Sequence, residues 1–250
     1  MKAWTHLRTI RLPGRTAALV LWLAAAHGAA ASTFNISPIR ANLNSGHRTD
    51  VLTMANQEDQ PVIVQVRAVR WSQKDGEDLL DDTRDLLATP PVLQIGPKAE
   101  QIVRTALRQS PDPSRELSYR LIFQEVPQPA AADFTGLRVA LRLSVPVFVA
   151  PASGKAAADV SWEGRWSAAG KLELTATNRG NAHLQIIDFE VLFQDANGEL
   201  KGITSKYVLP GSSMSWTLSP AKDVNHDGTL RIHGHSDQGE FSAAVAITKS

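Results

Sequence analysis

Side-chain character alternates without interruption over residues 137–149, and this run constrains the possible folds of the chain more than any other segment. Successive side chains of a β-strand point to opposite faces, so a period of two predicts one long strand and not a helix. One face of that strand is entirely apolar, whereas the other mixes arginine, small residues, proline and phenylalanine. The apolar residues are Leu137, Val139, Leu141, Leu143, Val145, Val147 and Val149.

The same alternation dominates the rest of the chain. It recurs over residues 62–69, and residues 171–177, 185–193 and 241–247 are also typical of strands. The Asp-Ala-Asn-Gly sequence of residues 195–198 is typical of a hairpin turn. No stretch beyond the N-terminal region keeps a helical period. The pattern therefore predicts an all-β chain of the β-sandwich type.

The first thirty-one residues have the features of a cleaved export signal. Four cations precede an apolar run over residues 17–26, and three alanines follow at residues 29–31. The apolar run is too short to span a bilayer, and the small residues suit signal peptidase. A buried helix is the alternative interpretation. We predict cleavage near Ser32 and export to the periplasm. The four cations are Lys2, Arg8, Arg11 and Arg15.

The remaining roughly 220 residues suffice for one large domain or for two domains of about 100 residues each. The Pro-Ala-Ser-Gly-Lys sequence of residues 151–155 interrupts the strand pattern near the middle. We interpret it as a hinge, which predicts one sandwich over residues 32–151 and a second over residues 152–250.

Composition excludes several classes of function. The chain has no cysteine, so it has no disulfide, no thiol nucleophile and no zinc–thiolate site. Its net charge is +1 and its isoelectric point is about 8.1, and the basic residues are scattered along the chain. Binding to nucleic acid is therefore not expected. No phosphate-binding glycine loop is present, and no cofactor is predicted.

Three motifs resemble metal or catalytic sites, but each is incomplete. Residues 223–228 resemble the start of a calcium loop, yet its closing position holds Gly234 instead of a bidentate glutamate. Residues 234–238 resemble a nucleophile elbow around Ser236 but lack the second glycine. His233 and His235 share a strand face and could bind a metal with His226. Ordinary turns and surface histidines are the favoured interpretation, and neither a metal nor an enzymatic activity is predicted.

Two segments are predicted to be loops. Residues 73–87 are rich in acidic side chains, which we interpret as solvated surface. Residues 127–133 contain two prolines and lead into the alternating run. An apolar strand after such a loop is an aggregation hazard unless another molecule covers it, because an unpaired edge offers free N–H and C=O groups. The functional hypothesis is that a client protein covers this strand.

At this point the chain resembles the periplasmic pilus-assembly chaperones of the PapD-like family. The resemblance covers residues 32–151 with several motifs in order, and the second domain matches only at residues 174–178 and 207–211. Residues 144–149 are most similar to the archaic branch of the family. The motifs of the first domain are Ser-Pro-Ile-Arg at 37–40, the strand ending in Asn56, Trp71, Thr-Pro-Pro at 89–91, Gln-Ile-Val-Arg at 101–104 and the segment from Tyr119 to Pro127.

The resemblance implies two immunoglobulin-like sandwiches set at an angle with a cleft between them. It also implies that the chain donates a strand to a fibre subunit that lacks one, then delivers this client to an outer-membrane usher. Self-association of the client-free chain through the same edge is expected. The rival hypothesis is a secreted structural or adhesive fibre component. The candidate donor residues are Leu137, Val139, Leu141, Leu143 and Val145.

The resemblance further implies that Arg40 anchors the terminal carboxylate of the client in the cleft, where a guanidinium can hold both oxygens. Pro146 stands where the best-known relatives have a second cleft cation, so the anchor loses one charge unless Arg142 or Arg120 replaces that cation. Glu125 matches a family glutamate that pairs with an arginine after the donor strand, and the aligned position of that arginine is Ala150 in this chain. The ion pair between the domains is therefore expected to be absent or rebuilt.

Overall fold

The computed structural model describes residues 34–127, 139–193, 199–219 and 230–248. All regular structure in these residues is β, arranged as two immunoglobulin-like sandwich domains, which confirms the predicted fold class. Within these residues no helix could cross a membrane. The first domain contains β1 (Phe34–Ser37), β2 (Ala41–Leu43), β3 (Thr49–Asn56), β4 (Val62–Lys74), β5 (Glu77–Asp82), β6 (Leu86–Thr89), β7 (Val92–Ile95), β8 (Glu100–Leu107), β9 (Leu117–Glu125) and β10 (Arg142–Val149).

Two sheets face each other in the first domain. One has the strand order β1-β3-β8-β6, and the other has the order β2-β10-β9-β4-β5, with β7 also paired to β4. Alternate residues of each strand point inward and form one apolar core. Its largest fully buried side chains include Leu43, Leu52, Met54, Tyr119 and Phe123.

β10 has neighbours of unequal length. It pairs antiparallel with β9 over all of its residues, but it pairs with β2 only from Val147 to Val149. The ordered strand begins at Arg142, so it is shorter than the run from which it was predicted. Residues 139–141 lie outside a strand, and residues 128–138 are not among the described residues.

The second domain is a single sheet of seven strands that folds over on itself. Phe189 and Trp216 come from strands with four others between them in the sheet order, yet their ring centroids are 5.3 Å apart. The predicted strands at 171–177, 185–193 and 241–247 are confirmed. The strands are β11 (Val160–Trp166), β12 (Leu172–Asn178), β13 (Leu184–Phe193), β14 (Glu199–Val208), β15 (Ser213–Leu218), β16 (Leu230–Ser236) and β17 (Gly239–Thr248).

Residues 73–82 of the acidic segment lie in a β-hairpin and residues 86–87 begin β6, so the predicted loop is wrong. β4 continues to Lys74, and β5 pairs back along it. Asp75 and Gly76 both have positive φ, at 54° and 79°, which matches the two-residue Asp-Gly turn typical of hairpins. The many acidic residues of this segment made the Asp-Gly pair resemble part of a solvated loop. The predicted turn at 195–198 and the calcium-like loop at 223–228 lie outside the described residues.

The segment between the two sandwiches is held to the first domain. β10 ends at Val149 and β11 begins at Val160. The backbone N–H groups of Ala152 and Ser153 donate to the carbonyls of Asp112 and Pro113, at 2.7 and 3.0 Å. The predicted boundary after residue 151 falls within this segment, and the first half of the predicted hinge is thus fixed by hydrogen bonds.

Gly234 permits close approach of two strands in the second domain. It pairs with Phe189 beside a register shift, and an added Cβ would lie 2.3 Å from the carbonyl oxygen of Asp188. We expect Gly234→Ala to lower the free energy of unfolding by about 3 kcal/mol, because the clash is with backbone. Urea denaturation measures this loss. Gly96→Ala is the control, since its Cβ would meet nothing closer than 3.8 Å; equal stability of the two variants would contradict the expectation.

Candidate functional site

The predicted donor residues differ in how deeply the first domain buries them. Val145 is only 4% exposed and belongs to the core of its own domain. Leu143 and Leu141 are half-buried against the edge of that core, and Val139 is 52% exposed. Leu137 lies outside the described residues. Because Val145 already fills its own core, we leave it out of the donor segment, which we define as residues 137–143.

The outer edge of this segment has no strand beside it among the described residues. β2 covers β10 only from Val147 onward, and the inner edge pairs with β9. Glu125 extends the inner pairing, because its N–H donates to the carbonyl of Leu141 and its carboxylate accepts from the N–H of Leu141. The backbone is therefore supported on one side and open on the other, which is the arrangement that accepts an added strand.

Arg40 lies immediately before β2, at the end of the open edge. β2 is parallel to β10, with Ala41 opposite Val147, so Arg40 stands next to the place where the edge becomes blocked. Its Nη1 donates to Oδ2 of Asp237 in the second domain at 2.7 Å, and its side chain is 34% exposed. A guanidinium has five N–H donors. Arg40 therefore has donors left for a further carboxylate.

Arg120 is held by its own domain. Its guanidinium donates to Asp78 and to the hydroxyl of Ser144, both at 3.1 Å, and lies 3.7 Å from the centroid of the Trp71 ring. Burial lowers the pKa of Arg120, and the carboxylate of Asp78 opposes that shift. One of these two hydrogen bonds fixes Arg120 to β5 and the other fixes it to β10.

Arg142 is exposed at the start of β10. It points to the same sheet face as Arg120, because Arg120 pairs with Pro146 and residues of even number in β10 share a face. Both remain candidates for the replacement of the missing cleft cation. Arg40, by contrast, comes from the loop before the edge strand β2, and it is the candidate that contacts the second domain.

An ionic cluster joins the two domains. Glu116 and Arg40 come from the first domain, and His183 and Asp237 from the second. Nδ1 of His183 lies 2.7 Å from Oε1 of Glu116, and its Nε2 lies 3.4 Å from Oδ2 of Asp237. The backbone N–H of Gln185 donates to the other Asp237 oxygen at 3.0 Å. Burial alone would raise the pKa of Asp237, but the nearby His183 ring and the hydrogen bonds from the Gln185 backbone and from Arg40 lower it to about 2.

An aromatic cluster lies against the ionic cluster. Phe148 of β10 stacks on the His183 ring at 3.4 Å, and Trp71 meets Tyr207 edge to face at 5.2 Å. Burial raises the pKa of Tyr207. Next to these rings, Gln73 donates to the carbonyl of Tyr207 and accepts from the N–H of Leu209, both at 2.9 Å. The amide thus joins the domains as a neighbouring strand would.

Other residues form an ion pair between the domains. Glu125 accepts a hydrogen bond from the backbone N–H of Leu141, and Ala150 stands directly after β10. Asp237 instead binds Arg40 and faces His183. The domain contact therefore keeps an ionic character without the arginine after the donor strand.

The motifs that suggested metal or catalysis lead to ordinary contacts where the structure describes them. His235 is exposed and its Nδ1 lies 2.8 Å from Asp188, while Ser236 donates to the carbonyl of Gly239. The described residues contain no group of three or more side chains that could hold a metal ion. His226 is outside them.

Sequence reasoning missed Glu116, His183 and Asp237. Glu116 and His183 are 67 positions apart, Arg40 and Asp237 are 197 positions apart, and no local pattern joins them. Asp237 is the first of the two residues between β16 and β17, so it resembles an ordinary turn residue. Gln73 was assigned to an acidic loop. In the aromatic cluster beside Gln73, Trp71 is a residue that the family resemblance includes.

Comparison with known proteins gives consistent similarities. The family model "Pili and flagellar-assembly chaperone, PapD N-terminal domain" matches residues 33–155. A chain of the CsuC–CsuE chaperone–tip adhesion subunit complex from archaic Csu pili of Acinetobacter baumannii is 20% identical, with a TM-score of 0.63 over 86% of this chain and 99% of that one. The CupB2 chaperone of Pseudomonas aeruginosa is 18% identical, with a TM-score of 0.55 over 86% and 100%.

A third similar structure is the complex of the SafA pilin with the SafB chaperone from Salmonella enterica. The matched chain is 15% identical, with a TM-score of 0.59 over 87% of this chain and 98% of that chain. At these identities the structural likeness concerns the fold. A search of curated proteins by sequence gives no match.

Proposed function

This chain belongs to the PapD-like family of pilus-assembly chaperones, and from this premise we propose that it protects an incomplete fibre subunit by lending it a β-strand. Chaperones of this family are not enzymes, so the chain acts by binding. The donor segment, residues 137–143, enters the open core of the client, while main-chain hydrogen bonds form along the free edge. Each buried apolar side chain contributes roughly 1.5–3 kcal/mol.

The observation that carries this proposal is the position of Arg40 at the end of the open edge. A client strand that runs parallel to β10 along residues 139–146 would meet β2 at Val147, and its last residue would arrive beside Arg40. The exposed N–H groups of Arg40 suit a terminal carboxylate. The free edge of β10, the apolar side chains of the donor segment and the Arg40 cation therefore favour the same kind of client, which is a strand at the C-terminal end of a chain.

We also propose where the chain acts and which other molecules it meets. A family of periplasmic chaperones and a signal-like N-terminus support export to the periplasm with removal of residues 1–31. Delivery to an outer-membrane usher follows from the family role. The same free edge supports self-association of the client-free chain, because two such edges can pair. Family membership favours the chaperone over the rival fibre component.

Co-expression tests the anchor. The full chain is expressed with secreted candidate subunits, and recovery of the subunit with the tagged chain is measured. We expect Arg40→Ala to reduce recovery about ten- to hundredfold, because a hydrogen-bonded charge pair contributes about 1.5–3 kcal/mol. The control is Arg165→Ala, since Arg165 also binds a carboxylate, Glu173, but lies on the surface of the second domain. Recovery of the subunit by Arg40→Ala at the level of the unaltered chain would refute the anchor.

A further inference from the structure

Both ring nitrogens of His183 face carboxylate oxygens. Nδ1 is 2.7 Å from Glu116, and Nε2 is 3.4 Å from Asp237. A neutral imidazole has one N–H, so it would turn a lone pair toward one of these two anions. Only the imidazolium presents an N–H to each. The arrangement around the ring is therefore complementary to the protonated form.

The carboxylate oxygen beside Nε2 is the same atom that binds Arg40. Oδ2 of Asp237 lies 2.7 Å from Nη1 of Arg40 and 3.4 Å from Nε2 of His183. We propose that His183 is a positioning residue for the carboxylate anchor: its proton shares the charge of Asp237, so that Arg40 keeps positive charge for the chain terminus of a client. This inference rests on the proposed function of Arg40.

Charge balance gives the direction of the effect. With the imidazolium, Arg40 and His183 balance Asp237 and Glu116, and the cluster is neutral. Loss of the proton leaves a net charge of −1 beside the anchor, and Asp237 then acts on Arg40 alone. A client carboxylate would approach a more negative site. At a separation of about 8 Å, one unit charge changes affinity by about twofold in a water-like dielectric constant of about 80 and by about thirtyfold at a dielectric constant of about 20, and a change of roughly fivefold lies between these limits.

The surroundings of His183 set the direction of its pKa shift. Burial lowers its pKa, but Asp237 and Glu116 outweigh burial and raise the pKa above the usual value. Arg40 faces the ring through Asp237. The stacked Phe148 carries no charge, and burial raises the pKa of Tyr207 further from neutrality. The stabilisation from this proton is complete below about pH 6.5 and is lost as pH rises through the raised pKa of His183.

Two synthetic peptides test the inference on the full chain. Both have the alternating sequence acetyl-(Val-Ser)₄-Val; one ends in a free carboxylate and the other in a carboxamide. The free carboxylate is ionised throughout the range used, so the peptide does not titrate. Affinities for both peptides are measured between pH 5.5 and 8.5. We expect the preference for the carboxylate to fall roughly fivefold as pH rises in the unaltered chain.

Variants separate this inference from the proposed function. His183→Gln should show a weak preference that does not change with pH, and His183→Arg should keep a strong preference at every pH. A preference that is constant with pH in the unaltered chain, or that titrates in His183→Arg, would overturn the role of His183. Arg40→Ala should have no preference at any pH. If the unaltered chain has none at pH 5.5 either, the anchor itself is wrong and the inference falls with it.

NMR titration of the His183 ring gives a readout that needs no peptide. We expect a pKa above 6.5 in the client-free chain, and Asp237→Asn should lower it because one of the two facing anions is removed. A ring that titrates at or below 6.5, or is unaffected by Asp237→Asn, would contradict the coupling between His183 and the anchor.

Discussion

Aspartate in place of Val139 should weaken client binding by more than about a hundredfold while the chain stays folded. Val139 is 52% exposed, so its own domain loses little when the side chain becomes charged. In the complex, the same position would carry a charge into the apolar core of the client. The same substitution at Val147 should instead unfold the first domain, because Val147 is fully buried between β9 and β2.

Three variants make this contrast measurable. Client recovery after co-expression and the midpoint of thermal unfolding are recorded for Val139→Asp, Val147→Asp and Leu79→Asp. Leu79 is a matched control, since it is 42% exposed on β5 at the other end of the sheet order. It should leave both quantities unchanged. A Val139→Asp chain that recovers its client normally would show that this segment does not enter the client.

Phe148→Ala should lower the free energy of unfolding by about 3–5 kcal/mol and uncouple the two domains. Phe148 is 2% exposed, and its ring lies between Trp71 of its own domain and His183 and Tyr207 of the second. Its removal would leave a cavity where the domains meet. Each domain keeps its own separate core, so each can unfold by itself once this contact is lost.

Calorimetry distinguishes loss of stability from loss of coupling. We expect one transition for the unaltered chain and two for Phe148→Ala. Phe148→Leu is the matched variant, because it retains apolar volume without the stacked ring; its loss should be smaller. A single transition at the original temperature for Phe148→Ala would contradict the role assigned to this ring.

The sequence could predict the fold class because strand periodicity is local. It could not predict where the donor segment ends. Val145 and Val139 have the same character and the same parity, yet one fills its own core and the other is exposed. Val145 belongs to the core that the two sheets of the first domain form together, and the packing of one sheet on another leaves no local pattern in the sequence.

The residues that join the domains were hidden for a different reason. Arg40 and Asp237 are 197 positions apart, and Gln73 is 136 positions from Leu209. Contacts of this range follow from the packing of two complete domains and leave no periodic signal. Arg40 itself was found through resemblance to a family motif, whereas His183 lies outside all the motifs that carry this resemblance.

The short strand β2 has one more consequence. It covers the edge of β10 from Val147 onward, so the client strand that we propose would have a fixed stopping point at Arg40. The last residue of the client strand would then set its pairing register along β10. One additional residue at that end would exchange all of its inward and outward side chains, and two would restore the faces but shift them by about 6.6 Å. The position of Arg40 would therefore select client strands whose pairing registers differ by two residues.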